Sequence, residues 1–139
     1  MVKKIIILIL IGTIAYFAFG WFIFDYILGA YTDANTTQIP GFKKTAEQFS
    51  MPCLMLSCGA YSALMVFVLV YLTHTTNIIK GTTTGAVIGV LVAVMADSYW
   101  LASSNFYNNV YVAAADVAAA AISVGFLGLT ITFAGKKIA

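Results

Sequence analysis

"GAVIGVLVAVMADSYWLASSNF", residues 85–106, begins with twelve apolar or small residues and then places an aspartate, Asp97, within the same apolar stretch. A run of this hydrophobicity is typical of a helix that crosses a membrane, where a charge facing hydrocarbon is costly. The stretch therefore predicts a transmembrane helix. It also predicts that Asp97 faces another helix and not lipid.

Three further apolar runs account for most of the remaining chain. Of the 139 residues, 62% are hydrophobic and 9% are charged, whereas about a quarter of the residues in a soluble domain are charged. Each run is near or above the roughly 20 residues that a helix needs to cross the bilayer. The predicted spans are Ile5 to Tyr31, Cys53 to Leu72, Thr84 to Ser104 and Val110 to Ala134. The sequence thus predicts one all-α domain, residues 1–139, folded as a four-helix transmembrane bundle.

The lysines predict the orientation of this bundle. With four spans, the termini and the second connection share one side of the membrane, and the first and third connections share the other. The first side carries Lys3, Lys4, Lys80, Lys136 and Lys137, and the second carries Lys43 and Lys44. Because basic residues are in excess on the cytoplasmic side, we expect both termini to be cytoplasmic.

The first connection, residues 32–50, predicts a short helix lying in the membrane interface. After a break at Pro40 and Gly41, it places Phe42, Ala46 and Phe49 at helical spacing, with charged and amide side chains between them. Such a helix could act as a lid or docking surface, or simply as an amphipathic linker.

Small residues recur at every fourth position of the third span. The row consists of Gly81, Gly85, Gly89 and Ala93, and Asp97 is its next member. A row of this kind lets a second helix approach closely in lipid. The fourth span, with "AAADVAAAAISVGFLG" at residues 113–128, offers a matching surface of small residues and contains a second acid, Asp116.

The two acids are expected at the same depth. Asp97 precedes Asn105 by eight residues and Asp116 follows Asn109 by seven, which is about 12 Å and about 10 Å along a helix. The short connection "NFYNN" makes the two helices antiparallel, and no lysine lies within the spans. The four residues are the candidate binding site. One interpretation is a site for a proton, a cation or a cationic ligand, and the other is protonated aspartates that hold the helices together by hydrogen bonds.

Other functional residues give weaker signals. Cys53 and Cys58 lie about 140° apart on a helix, so we expect two buried packing residues and no redox pair. A single histidine, His74, cannot supply the ligands of a haem or metal cluster. The chain shows no nucleophile with its base and no basic stripe. We therefore expect no enzymatic activity, no cofactor, no metal and no nucleic-acid partner.

Three segments carry a resemblance to known proteins: "AYFAFGWFIFDYILG" in the first span, "GAVIGVLVAVMADSYWLA" in the third and "AADVAAAAISVGFLG" in the fourth. In these the chain resembles small four-helix bacterial membrane families classed as domains of unknown function. The resemblance implies the four-helix fold and a bacterial inner (plasma) membrane. It transfers no functional residue, because these families have no established activity.

Two functions follow from these observations as hypotheses. The small-residue surfaces and the lack of catalytic groups favour a non-enzymatic packing or accessory subunit of a larger membrane assembly. The alternative is a small proton- or cation-coupled transporter, or a membrane ligand-binding protein, that uses Asp97 and Asp116. Besides the lipid bilayer, the expected partners are other membrane subunits or a second copy, and transport would require a homodimer because four helices enclose little space.

Overall fold

The computed structural model describes residues 2–138, so the ends of the predicted domain, Met1 and Ala139, lie outside the described residues. The described chain is all-helical apart from its connections and contains four helices long and apolar enough to span a membrane. The helices are α1 (Val2–Trp21), α2 (Gly29–Asn35), α3 (Met51–Val66), α4 (Ile78–Ser103) and α5 (Val110–Lys137). Helices α1 and α3 continue as π-helical segments, Phe22–Ile27 and Phe67–Leu72. The predicted four-helix transmembrane bundle is therefore confirmed.

Two boundaries of the spans differ from the prediction by four residues or more. Helix α4 begins at Ile78, six residues before the predicted start at Thr84. The Asn77 side chain caps this end, because its oxygen accepts hydrogen bonds from the backbone N–H groups of Ile79 and Lys80. The threonines that follow stay helical because their hydroxyl groups bond within the helix; Thr82, for example, donates to the carbonyl of Ile78.

The first span ends four residues earlier than predicted. It ends at Ile27, and a bend at Leu28 separates it from the short helix α2. The wide turn closes when the Leu28 N–H donates to the carbonyl of Ile23, five residues back. The predicted end at Tyr31 therefore falls within α2 and not within the first span.

Helix α5 is the centre of the bundle. More than half of its most apolar window is buried, against less than a third for the other three spans. It packs against α4 on one side and against α1 and α3 on the other. The shared core consists of Leu8, Met65, Val66, Leu69, Val124, Leu127 and Ile131.

The row of small residues on α4 faces α5. A Cβ atom added at Gly89 would lie 2.5 Å from the carbonyl oxygen of Ala120, and one added at Gly85 would overlap the carbonyl of Val124. A Cβ atom added at Gly81 would overlap the Thr132 side chain. Ala93 is buried as well. The two helices therefore touch backbone to backbone along much of their length, and no larger side chain fits between them.

Residues 28–50 and 104–109 form one end of the bundle, which we call the capped end. Thr36 and Tyr107 form an isolated antiparallel β-bridge. The Thr37 N–H donates to the Phe106 carbonyl at 2.8 Å, and the Asn108 N–H donates to the Asn35 carbonyl at 2.9 Å. The first and third connections are thus fastened to each other. Which side of the membrane the capped end faces stays a prediction from the lysine count.

The expected interfacial helix in the first connection is wrong. Residues 40–48 form turns and bends, closed by bonds such as the one from the Phe42 N–H to the Ile39 carbonyl. Gly41 adopts a left-handed backbone conformation, with φ +78°, which a helix does not continue through. The Phe42 ring packs on Phe106, with centroids 5.7 Å apart, and so contributes to the cap and not to an amphipathic face.

Candidate functional site

The antiparallel pair α4 and α5 brings Asp97 and Asp116 together. Asp97 lies six residues before the last residue of α4, and Asp116 lies six residues after the first residue of α5, so each is about 9 Å from its helix end. Helical side chains lean toward the N-terminus of their own helix. Along the helix axis, the Asp97 side chain therefore leans away from the capped end and the Asp116 side chain leans toward it. The two carboxyl groups lie close enough for Asp97 to act on Asp116 electrostatically.

Asp97 is the more enclosed of the two acids, with 5% of its surface exposed. Its Oδ1 atom accepts a hydrogen bond from the Tyr107 hydroxyl at 2.8 Å. Its Oδ2 atom is buried and accepts no hydrogen bond from the residues that the structure describes. A buried carboxylate oxygen without a donor is costly, so this atom is an open acceptor for a proton or a cation.

Tyr107 connects the acid pair to the cap. It lies in the third connection, where its backbone forms the β-bridge with Thr36, and its ring is half-buried against Phe106. Burial, followed by its hydrogen bond to the Asp97 carboxylate, raises the pKa of Tyr107 above the ordinary value for tyrosine. The hydroxyl group therefore stays protonated at neutral pH and acts as a donor to Asp97.

Asp116 is partly buried and also faces helix α1. The Tyr16 side chain lies close enough for the Asp116 carboxylate to act on it electrostatically, and the Tyr16 ring packs against Tyr61 of α3 at 5.2 Å. Among residues 2–138 the one ion pair joins Lys43 and Asp33 in the first connection. The acid pair thus has phenol groups around it and no basic side chain paired with it in the described chain.

The asparagines of the candidate site lie above the acid pair and not beside it. The Asn109 side chain caps α5 by accepting the N–H groups of Tyr111 and Val112, and it also donates to Asn35 at 3.1 Å. Asn105 is exposed, and its backbone carbonyl accepts the Thr37 hydroxyl. Both therefore hold the cap in place.

The residue that sequence analysis missed is Tyr107. A tyrosine in a connection near a membrane boundary has the usual pattern of an interfacial anchor. A signal was nevertheless present, since Tyr107 lies in "NFYNN", the turn that joins the two acid-bearing helices. A turn of that length keeps its side chains within reach of the helix ends.

The cysteines and the histidine lie elsewhere. Cys58 is buried in α3 and Cys53 is exposed, and neither forms a disulfide, so the expectation of two buried cysteines is wrong for Cys53. His74 lies exposed in the connection between α3 and α4 with a left-handed backbone, φ 47°. The described residues contain no group of three or more histidine, cysteine or acidic side chains placed to hold a metal ion.

Comparison with protein-family models finds no match, and comparisons with curated proteins and with solved structures find none either. The resemblance to bacterial membrane families of unknown function stays a prediction. The helical fold and its four apolar spans define the class of protein to which this chain belongs: a four-helix integral membrane protein.

Proposed function

We propose that this membrane protein is a proton- or cation-coupled transporter whose ion site is the Asp97–Asp116 pair. The pair binds a proton, which a small monovalent cation can replace. The observation that carries the proposal is the buried Asp97 carboxylate, which has one oxygen without a hydrogen-bond partner in the described chain and acts electrostatically on a second carboxyl group, that of Asp116. Intramembrane acids of this kind mark ion pathways and proton relays in membrane proteins.

The charges favour one bound proton. Two carboxylates about 4 Å apart repel each other by about 4 kcal/mol at an effective dielectric constant of 20, and each also loses hydration. Adding one proton removes the repulsion and supplies a hydrogen bond between the carboxyl groups. A monovalent cation placed between them would relieve the same repulsion, so the two ligands compete for one site.

Access to the pair is expected from the capped end. Tyr107 covers Asp97 on that side, and opening the Thr36–Tyr107 bridge would expose both acids. On the other side, Gly89 contacts the Ala120 backbone and closes the α4–α5 interface.

The Ser123 hydroxyl, buried and without a hydrogen-bond partner in the described chain, lies about 10 Å deeper on the same face of α5 as Asp116. It offers the next polar group along the helix.

Complete transport would need a second copy of the chain. A single bundle has its core filled by large apolar side chains below the acid pair, which leaves no aqueous route through it. A pathway formed between two copies, each contributing its acid pair, agrees with the homodimer expected from the sequence.

An accessory subunit is the second candidate function. Helices α1, α3 and α4 each have less than a third of their most apolar window buried, so their outer faces are free for lipid or for helices of other subunits. The glycine row gives this function less support than expected from the sequence, because the row is occupied by α5 of the same chain. We propose no enzymatic activity in either role.

The test is proton release measured in proteoliposomes or detergent. Added Na⁺ or K⁺ should release about one proton per chain from the wild type and none from Asp97→Asn or Asp116→Asn. Glu47→Gln is the matched control, because Glu47 is an exposed acid of the first connection. Equal proton release from the wild type and both aspartate variants would refute the ion site. Purification of the chain in a fixed ratio with other subunits, without proton release, would favour the accessory role.

A further inference from the structure

A cleft of about 330 Å³ lies between α1 and α3 near the capped end, and it shares one side chain, Tyr16, with the surroundings of the acid pair. Half of its lining residues are aromatic, and the lining includes one carboxylate, that of Asp25. The lining residues that determine its chemistry are Tyr16, Gly20, Trp21, Phe24, Asp25 and Ser57. The volume is at the lower end of the range found for small-molecule sites.

Gly20 creates the floor of this cleft. It is buried, yet a Cβ atom added to it would meet no atom within 4 Å. The other buried glycines of the bundle behave differently; Gly12 and Gly89, for example, lie against side-chain or backbone atoms of a neighbouring helix. Gly20 therefore leaves a space open where the others close a contact.

The π-helical segment places the carboxylate next to the rings. Phe24 and Asp25 belong to Phe22–Ile27, whose wider turn breaks the regular spacing of α1 just beyond Gly20. Such segments occur frequently at functional sites. Asp25 takes part in no ion pair within residues 2–138, and the nearby first connection uses Lys43 to pair with Asp33. The cleft thus combines electron-rich aromatic rings with a carboxylate that forms no ion pair in the described chain.

We propose that this cleft binds a small organic cation bearing a quaternary or otherwise alkylated ammonium group. The faces of Trp21, Phe24 and Tyr16 would surround the cation, since aromatic rings attract ammonium groups and tryptophan does so most strongly. Asp25 would supply the counter-charge. A hard metal ion fits poorly, because it takes six or more oxygen ligands and the lining offers one carboxylate and two hydroxyl groups.

The group could be free in solution or belong to the headgroup of a choline lipid, since both present the same chemistry to the rings. The cleft and the acid pair share one neighbouring side chain, Tyr16. The variants that test the cleft, at Gly20 and Asp25, change neither acid of the pair nor Tyr107. Failure of one proposal therefore leaves the other standing.

The experiment follows Trp21 fluorescence in a Trp100→Phe background, in which Trp21 is the only tryptophan. The protein is placed in nanodiscs of phosphatidylglycerol, which lacks choline, and titrated with choline. The neutral isostere 3,3-dimethylbutan-1-ol, which has the same shape and no charge, is the matched ligand control. We expect a saturable change with choline and none with the isostere.

Two variants link the signal to the cleft. Asp25→Asn should weaken choline binding by about fivefold or more, because the counter-charge is lost. Gly20→Leu should abolish it by filling the floor. Ala18→Leu adds similar bulk to the exposed face of the same helix and should bind choline normally. If Gly20→Leu fails to fold, Asp25→Asn and the isostere still decide the outcome.

Repeating the titration in phosphatidylcholine nanodiscs identifies the source of the cation. A lost response to added choline would assign the site to the lipid headgroup, and a retained response would assign it to a free cation; either result supports the proposal. Equal responses to choline and its neutral isostere would overturn it. So would choline affinities that are the same in the wild type, Asp25→Asn and a folded Gly20→Leu variant.

Discussion

The substitution Gly89→Ala tests the contact that holds α4 against α5. The added Cβ atom would lie 2.5 Å from the carbonyl oxygen of Ala120, whereas ordinary van der Waals contacts begin at about 3.4 Å. The helices would have to separate locally by about 0.9 Å. This oxygen belongs to the backbone and cannot turn away as a flexible side chain would, so the strain has to spread into the core around Val124.

We expect Gly89→Ala to lower the free energy of unfolding by about 1–3 kcal/mol, the usual cost of overpacking. Gly20→Ala is the matched control, because it is the same substitution at another buried helical glycine and meets no atom within 4 Å. It should be neutral or raise stability by up to about 1 kcal/mol, since alanine restricts the unfolded chain more than glycine does.

The measurement is reversible unfolding in mixed detergent micelles, followed by far-ultraviolet circular dichroism. Wild type, Gly89→Ala and Gly20→Ala are compared under identical detergent conditions. Equal stability of the two variants would refute the close contact between α4 and α5. A destabilised Gly20→Ala would instead contradict the open space at the floor of the cleft.

Three further predictions concern the acid pair, its tyrosine and the topology. Asp97→Asn and Asp116→Asn should stay folded, because an amide has the shape of a carboxyl group and can donate the hydrogen bond that a protonated carboxyl group would donate. Infrared spectra of the wild type at pH 7 should show a carboxylic-acid band, and the spectrum of each variant should lack it. The pKa of Tyr107 in the folded protein is raised from 10.0, so the unfolded chain loses this proton first as the pH rises. The contribution of Tyr107 to the free energy of unfolding should therefore be constant below about pH 10 and fall above it. In denaturation curves measured against pH, Tyr107→Phe should make that fall less steep. A reporter active only outside the cytoplasm should give a signal when inserted beside Gly41 and none when fused after Ala139, and the reverse pattern would overturn the lysine-based orientation.

The four spans were predictable from sequence because hydrophobicity is a local property that a run of about 20 residues carries by itself. The matched depth of Asp97 and Asp116 was predictable for a related reason: both positions are counted from the same short connection. Their burial also follows from the row that includes Gly85 and Gly89, since small residues mark the side of a helix that another helix approaches.

The features that were not predictable depend on contacts between distant segments. Thr37 and Asn108 are 71 residues apart, and no local pattern shows that the first and third connections pair. That pairing holds Tyr107 over Asp97. The same pairing explains why the helix predicted in the first connection does not form. Phe42 follows helical spacing but packs against Phe106 of the third connection. A segment this short is marginal as an isolated helix, so tertiary contacts decide its structure.

The packing of α4 on α5 and the acid pair are parts of one arrangement, which gives a final prediction. The glycine contacts fix the register of the two helices, and a slip of one turn, about 5.4 Å, would move Asp97 away from Asp116. Gly89 lies eight residues from Asp97, about 12 Å along α4, whereas Gly81 lies sixteen residues away, about 24 Å. Gly89→Ala should therefore shift the carboxylic-acid infrared band of the pair, and Gly81→Ala should shift it less even if it destabilises the bundle equally. Band shifts of the same size in both variants would indicate that the register of α4 on α5 does not control the distance between the two carboxyl groups. An unchanged band in both variants would indicate that the carboxyl groups adjust independently of the helix contact.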